Sequence, residues 1–200
     1  MAYNPPARPA AMLNVPNILS LFRILLVPLM VVALFTKPKY FGQEWIGLGL
    51  FLLASLTDFL DGFLARRRKQ ITRLGQILDP AADKILTSAA FISLVELNPR
   101  VVPAWIVVVI IAREFAVTSL RSFAAAEGIV IPAAPSGKVK TTLQIVAISL
   151  LIVYNELGEF RHLAPISLWL AMLVTVWSGI DYFLQFGRRL LKSEGPPVVP

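Results

Sequence analysis

The amino-acid sequence predicts an all-α integral membrane protein of six transmembrane helices. Three observations carry that reading. Of 200 residues, 56% are hydrophobic and 16% charged, with a mean hydropathy of +0.71. A soluble domain is nearer about 25% charged. The apolar residues gather in six segments, most of them close to the roughly 20 residues that a hydrocarbon crossing requires. Lys and Arg collect between the segments, mainly on one side.

Residues 1–16 contain Pro5, Pro6, Pro9 and Pro16 and read as an N-terminal proline-rich arm. Asn17 then suits the N-cap of the first segment. The segments run Ile18–Phe35, Trp45–Ala65, Gly75–Leu97, Val101–Phe123, Val139–Tyr154 and Ala164–Phe186, the fifth being the shortest. After Lys192 the chain ends Gly-Pro-Pro-Val-Val-Pro. The expected organisation is therefore the arm at 1–16, a six-helix transmembrane domain at 17–190 and a C-terminal tail at 191–200. The first apolar run is too long for a signal-peptide core, so no cleavable leader is expected. There are no cysteines, which excludes disulfides and thiol catalysis.

Charge sets the orientation. With six crossings both termini share one side. That side carries twelve cations: Arg8, Arg66, Arg67, Arg68, Lys69, Arg73, Arg121, Lys138, Lys140, Arg188, Arg189 and Lys192. The other side carries four: Lys37, Lys39, Arg100 and Arg161. The positive-inside rule then makes both termini cytoplasmic, in a multi-pass protein of the cell membrane. The net charge of +7 is read as anchoring to anionic lipid, with no nucleic-acid partner. Arg23, Lys84 and Arg113 fall within apolar segments and should face the bundle interior.

Four acids stand out on the cytoplasmic side: Asp58, Asp61, Asp79 and Asp83. Spacings of three and four put each pair on one helical face. Two carboxylates about 5 Å apart repel by roughly 3 kcal/mol at an effective dielectric of about 20. Four together call for cations, and Mg²⁺ or Mn²⁺ suits an all-oxygen site, two ions balancing four charges. Gly62 and Ala65 follow Asp58 on its stripe, and Gly75 stands before Asp79. These small residues either admit a bulky group or pack helices. Pro80 is placed in an early helical turn, where its missing N–H costs little.

A cationic set follows. Arg113 and Arg121 lie about two turns apart on broadly one face, and Gly137-Lys138-Val139-Lys140-Thr141-Thr142 opens the fifth segment. Glycine, lysine and hydroxyls at a helix start favour an anion. Arg suits bidentate phosphate contact and Lys a point charge. Arg113, Arg121 and Lys138 are the candidate phosphate ligands, and Lys140 is read as a membrane anchor. Acids beside a phosphate pocket suggest transfer between phosphorylated groups, with Asp83 as general base. His162 reads as a surface residue, and Asp181 as a partner for a nearby cation.

The pattern Asp58-x2-Asp61-Gly62-x2-Ala65-Arg66-x8-Gly75-x3-Asp79-x3-Asp83 resembles, without departure, the signature of the CDP-alcohol phosphatidyltransferases. The resemblance implies the CDP-alcohol phosphotransferase fold, a homodimer in the lipid bilayer and an active site open to the cytoplasm. It implies one or two divalent metals, Mg²⁺ or Mn²⁺, on Asp58, Asp61, Asp79 and Asp83, with two per site expected. It implies nucleotide contacts from Gly62, Ala65 and Arg66, with Asp58 and Gly75 beside them, and Asp83 as the base.

Outside the signature, Asn14–Arg23, Ile111–Phe115, Ser119–Arg121 and Gly137–Thr142 are similar to the bacterial phosphatidylglycerophosphate synthases. The expected substrates are then CDP-diacylglycerol and sn-glycerol 3-phosphate, giving phosphatidylglycerol phosphate and CMP. Inositol phosphate, phosphatidylglycerol or serine as acceptor is the alternative within the family. A divalent-cation or proton transporter is the alternative outside it.

Overall fold

The computed structural model describes residues 15–36, 42–68, 73–127 and 135–193. At residues 58–68 the backbone alone is described. The described residues are helical throughout apart from short turns. The order is α1 (Val15–Phe35), α2 (Gln43–Arg68), α3 (Arg73–Leu97), α4 (Ala104–Ala126), α5 (Pro135–Ile152), a 3-10 helix (Tyr154–His162) and α6 (Leu163–Ser193). Six α-helices thus cover the six apolar segments. Asn17–Phe35 and Tyr154–Leu190 are the two stretches long and apolar enough to cross a membrane by length and composition among the described residues.

Several boundaries differ from expectation. α1 begins at Val15, so Asn17 lies inside the helix and is buried rather than capping it. α4 begins at Ala104 and not at residue 101. Pro103 holds φ −62° and ψ 128°, and Val101 and Val102 both donate to the Asn98 carbonyl, at 3.0 and 2.9 Å. The residue before a proline is pushed out of helical geometry, which delays the start. α5 begins at Pro135, earlier than residue 139, with proline in the first turn. α3 begins at Arg73, so Pro80 is in the helix interior, not in an early turn. It has no N–H to offer the Gln76 carbonyl. Residues 1–14 and 194–200 lie outside the described residues, as does Lys69.

The chain forms two compact units, Met1–Ala90 and Phe91–Pro200. In the first, α1 packs along α2. Leu26, Val27, Met30, Phe51 and Ala54 are buried. A polar stripe runs down the same helix: Asn17, Ser20 and Arg23, at 1%, 0% and 0% exposure, recur every three residues. Arg23 is interior, as its place in an apolar segment requires. Its Nε donates to the Ala54 carbonyl at 3.2 Å, and the Thr57 hydroxyl donates to the same oxygen at 2.6 Å. Ala54 is one turn before Asp58, so the guanidinium braces the approach to the acids.

In the second unit α6 is the common partner of α4 and α5. Trp105 meets Trp169 edge-on at 5.4 Å, Arg113 meets Ser178, Arg121 meets Tyr182, and Phe123 meets Phe186 at 6.3 Å. Partner numbers rise together, so α4 and α6 run parallel. Large apolar side chains remain exposed on these helices, among them Val108, Trp169, Leu173 and Trp177, as an apolar solvent permits.

The segment between α5 and α6, Tyr154–His162, consists of two short 3-10 pieces that meet at a kink. Gly158 breaks it at φ 53° and ψ −119°. A side chain is strained in that conformation, at a cost on the order of 1–3 kcal/mol. Gly158→Ala should therefore lower the apparent melting temperature of the detergent-solubilised protein. An unshifted melt would show that this kink is not present in solution.

Candidate active site

The first unit carries the acids. α2 is unbroken through Arg68, so Asp58 and Asp61 lie one helical turn apart on one face. Their side chains, and those of Ala65 and Arg66, lie outside the described part of the structure, as does the surface around Gly62. α3 is continuous from Arg73 to Leu97, which stacks Asp79 and Asp83 one turn apart, both partly exposed. The Ser20 hydroxyl of α1 donates a short hydrogen bond to Asp79 Oδ1. Gly75 is buried one turn before Asp79.

Pro80 sits between the two acids. Lys84 bends back and donates to the Pro80 carbonyl at 3.2 Å. It is partly exposed rather than enclosed, which corrects the expectation that it faces the interior. Among the described residues no three His, Cys, Asp or Glu side chains form one group, and only Asp79 and Asp83 of the four acids have described side chains. Those two fit a divalent cation in kind. They are oxygen donors, one turn apart on α3.

The second unit carries the cations. Arg113 is largely buried, with its side chain 12% exposed. Nη2 donates to Ser178 Oγ at 2.9 Å, and Nη1 lies 3.4 Å from Glu114. Its Nε is buried and has no hydrogen-bond partner among the described residues. Arg121 is exposed, its guanidinium 5.6 Å from the centre of the Tyr182 ring. Lys138 is exposed in the first turn of α5, and Gly137 beside it has open space around it. The Thr141 and Thr142 hydroxyls donate back to the Gly137 and Lys138 carbonyls, both at 3.1 Å. They do not offer those protons to an anion, contrary to the reading of that segment.

Lys140 is the clearest correction. It is buried at 8% exposure and sits 2.6 Å from the Glu114 carboxylate, so it is no surface anchor. Gln144, one turn further on α5, donates to Glu114 at 3.1 Å and lies 3.1 Å from the Thr175 hydroxyl of α6. Glu114 thus joins α4 and α5 directly and reaches α6 through Gln144. A buried ion pair of this kind is costly to halve. Asp181 accepts from Gln185 at 3.0 Å within its own helix. His162 is exposed, as expected, with Nδ1 2.9 Å from the Glu159 carbonyl.

Residues 13–177 match the CDP-alcohol phosphatidyltransferase family. The chain belongs to that family. It is 43% identical over 196 residues to the CDP-diacylglycerol–glycerol-3-phosphate 3-phosphatidyltransferase of Bacillus subtilis, covering 92% of this chain and 100% of the relative. The enzyme of the same name from Haemophilus influenzae is 38% identical over 184 residues, covering 89% and 95%. Among solved structures, phosphatidylinositol phosphate synthase of Mycobacterium tuberculosis, crystallised with CDP-DAG bound, aligns with a TM-score of 0.62 at 16% identity. That alignment covers 86% of this chain and 85% of the other. The shared fold is that of the CDP-alcohol phosphotransferases.

The sequence singles out the acids and Arg113 as candidates, and that reading passes over Ser20, which bonds Asp79, Glu114 and Ser178, which bond Arg113, and Gln144, which bonds Glu114. The signal was present. Each is a polar residue at helical spacing within an apolar helix, which calls for a buried partner. Glu114→Ala should cost roughly 3–5 kcal/mol of stability, because buried Lys140 loses its carboxylate. A thermal melt of Glu114→Ala beside Glu114→Ala/Lys140→Met checks this. The double variant should recover part of the loss, and no recovery would argue against the pair.

Proposed function

We propose that this transferase moves the phosphatidyl group of CDP-diacylglycerol to sn-glycerol 3-phosphate, giving phosphatidylglycerol phosphate and CMP in phospholipid biosynthesis. One observation carries the choice of acceptor. Relatives matched over nearly their whole length bear the name of that reaction. The complete aspartate signature and a largely buried arginine support it. We read residues 17–190 as six membrane crossings forming the catalytic domain, with both termini and the site at the cytoplasmic face of the cell membrane. The protein would act as a homodimer.

Asp58, Asp61, Asp79 and Asp83 are proposed to hold two divalent ions, Mg²⁺ or Mn²⁺. When bound, these would offset the negative charge of the pyrophosphate. Asp58, Gly62, Ala65, Arg66 and Gly75 are assigned to the cytidine nucleotide. The acceptor's phosphate is assigned to Arg113, Arg121 and Lys138. Arg113 keeps donor capacity after its protein contacts, and its charge is not cancelled by Glu114, whose nearer partner is Lys140. Holding the phosphate fixes the acceptor hydroxyl near the β-phosphorus. Asp83 takes the hydroxyl proton, the new P–O bond forms at the β-phosphorus, and the bond from that phosphorus to the bridging oxygen breaks. CMP leaves with that oxygen.

CMP release by the purified protein tests the reading, with CDP-diacylglycerol and Mg²⁺ and each acceptor supplied separately. Release with sn-glycerol 3-phosphate, lost on chelation, is expected. Release only with inositol phosphate, phosphatidylglycerol or serine would keep the family and replace the acceptor. Asp83→Asn should lower kcat by at least about 100-fold with the fold intact, since a positioned base contributes about 10²–10⁴. Arg113→Ala should raise KM for sn-glycerol 3-phosphate far more than KM for CDP-diacylglycerol. Equal rises would refute its place in the acceptor pocket.

A further inference from the structure

The segment after residue 177 lies beyond the family match, yet it supplies what holds Arg113. Two adjacent α6 residues do this in different ways. Ser178 Oγ accepts from Nη2 at 2.9 Å and fixes the tip of the side chain. Gly179 makes room for its stem. A Cβ built on Gly179 would stand 3.0 Å from Arg113 Cγ and 3.2 Å from Nε. Those distances are tighter than ordinary packing. Cγ is two bonds from the α4 backbone, so it cannot swing clear as a flexible end would. Glu114, at 3.4 Å from Nη1, steadies the guanidinium from its own helix.

We infer that Ser178 and Gly179 are positioning residues for Arg113, and that through it they set the enzyme's requirement for a phosphate-bearing acceptor. This rests on the assignment of Arg113 to the acceptor pocket. A planar, forked donor binds phosphate well only when its plane is set in advance. The Ser178 contact and the close stem together set that plane. Tyr182, one turn beyond Ser178, serves the second proposed acceptor cation from the same α6 face. Its ring lies under Arg121 at 5.6 Å. Thr175, Ser178, Gly179 and Tyr182 recur at spacings of three, four and seven, which is one stripe of the helix.

The test is steady-state kinetics on the full-length protein, varying sn-glycerol 3-phosphate and CDP-diacylglycerol in turn. Gly179→Ala should raise KM for sn-glycerol 3-phosphate about tenfold, with kcat and KM for CDP-diacylglycerol within about twofold, as a small misplacement of a substrate-holding group does. Ser178→Ala should raise the same constant about threefold, and Ser178→Thr should restore most of it. Adding Gly179→Ala to Arg113→Ala should raise it no further.

A full additional rise in that double variant would show that Gly179 acts elsewhere and would overturn the inference. A normal acceptor requirement in Gly179→Ala, with Arg113→Ala impaired, would overturn it alone. A normal requirement in Arg113→Ala itself would remove the acceptor-pocket reading and this inference with it. If Gly179→Ala shows no folding transition, Ser178→Ala decides, since it removes only a hydroxyl. An unchanged acceptor KM there overturns the inference.

Discussion

An ionised side chain on an apolar helix has to be tied to something, and most of the internal organisation of this protein follows from that. Unpaired charge in a low-dielectric surrounding costs several kcal/mol or more, so such groups are paired, bonded to backbone or turned to water. Arg23 meets the requirement at the Ala54 carbonyl. Glu114 meets it with Lys140 and Gln144. Lys84 is less enclosed and curls back to the Pro80 carbonyl. Helices in lipid gain little from hydrophobic burial against one another, so polar ties and close small-residue packing carry more of their association. The groups proposed for the chemistry are therefore tied to groups that fix helix register. Ser20 reaches Asp79 from α1, and Arg23, one turn on, reaches the α2 backbone just before Asp58.

The six helices were legible because length and hydropathy are properties of a segment, and a segment can be read without knowing its neighbours. Boundaries were less so. Pro103 delays α4 and Pro135 opens α5, while Arg73 starts α3 early enough to leave Pro80 inside it. The acids were legible because their spacing is informative even in isolation. Lys140 was not. Read along the chain, it belongs to a basic run at the start of a helix. Its fate depends on which side of α5 faces Glu114, a relation between helices. The spacing of Lys140 and Gln144, two polar residues one turn apart that both reach Glu114, was the available clue. The α6 stripe was harder still, since glycine and serine in such a helix ordinarily mean packing.

The partition of charge around Glu114 bears on acceptor choice. One carboxylate faces two cations, at 2.6 Å to Lys140 and 3.4 Å to Arg113. The shorter contact takes most of its charge, and Gln144 occupies a further lone pair. Arg113 is left positive and largely buried, with Ser178 as its other partner and Nε unused among the described residues. Such a group is further stabilised when water or an anion reaches it. A neutral acceptor would leave that charge uncompensated, whereas a phosphate would complete it with bidentate bonds. The same argument explains why the supports of Arg113 are neutral. If Arg113 holds the acceptor's phosphate as proposed, a second carboxylate in place of Ser178 would compete with that phosphate, and a side chain in place of Gly179 would turn the fork away from it. A hydroxyl and an absent side chain fix the guanidinium without cancelling its charge.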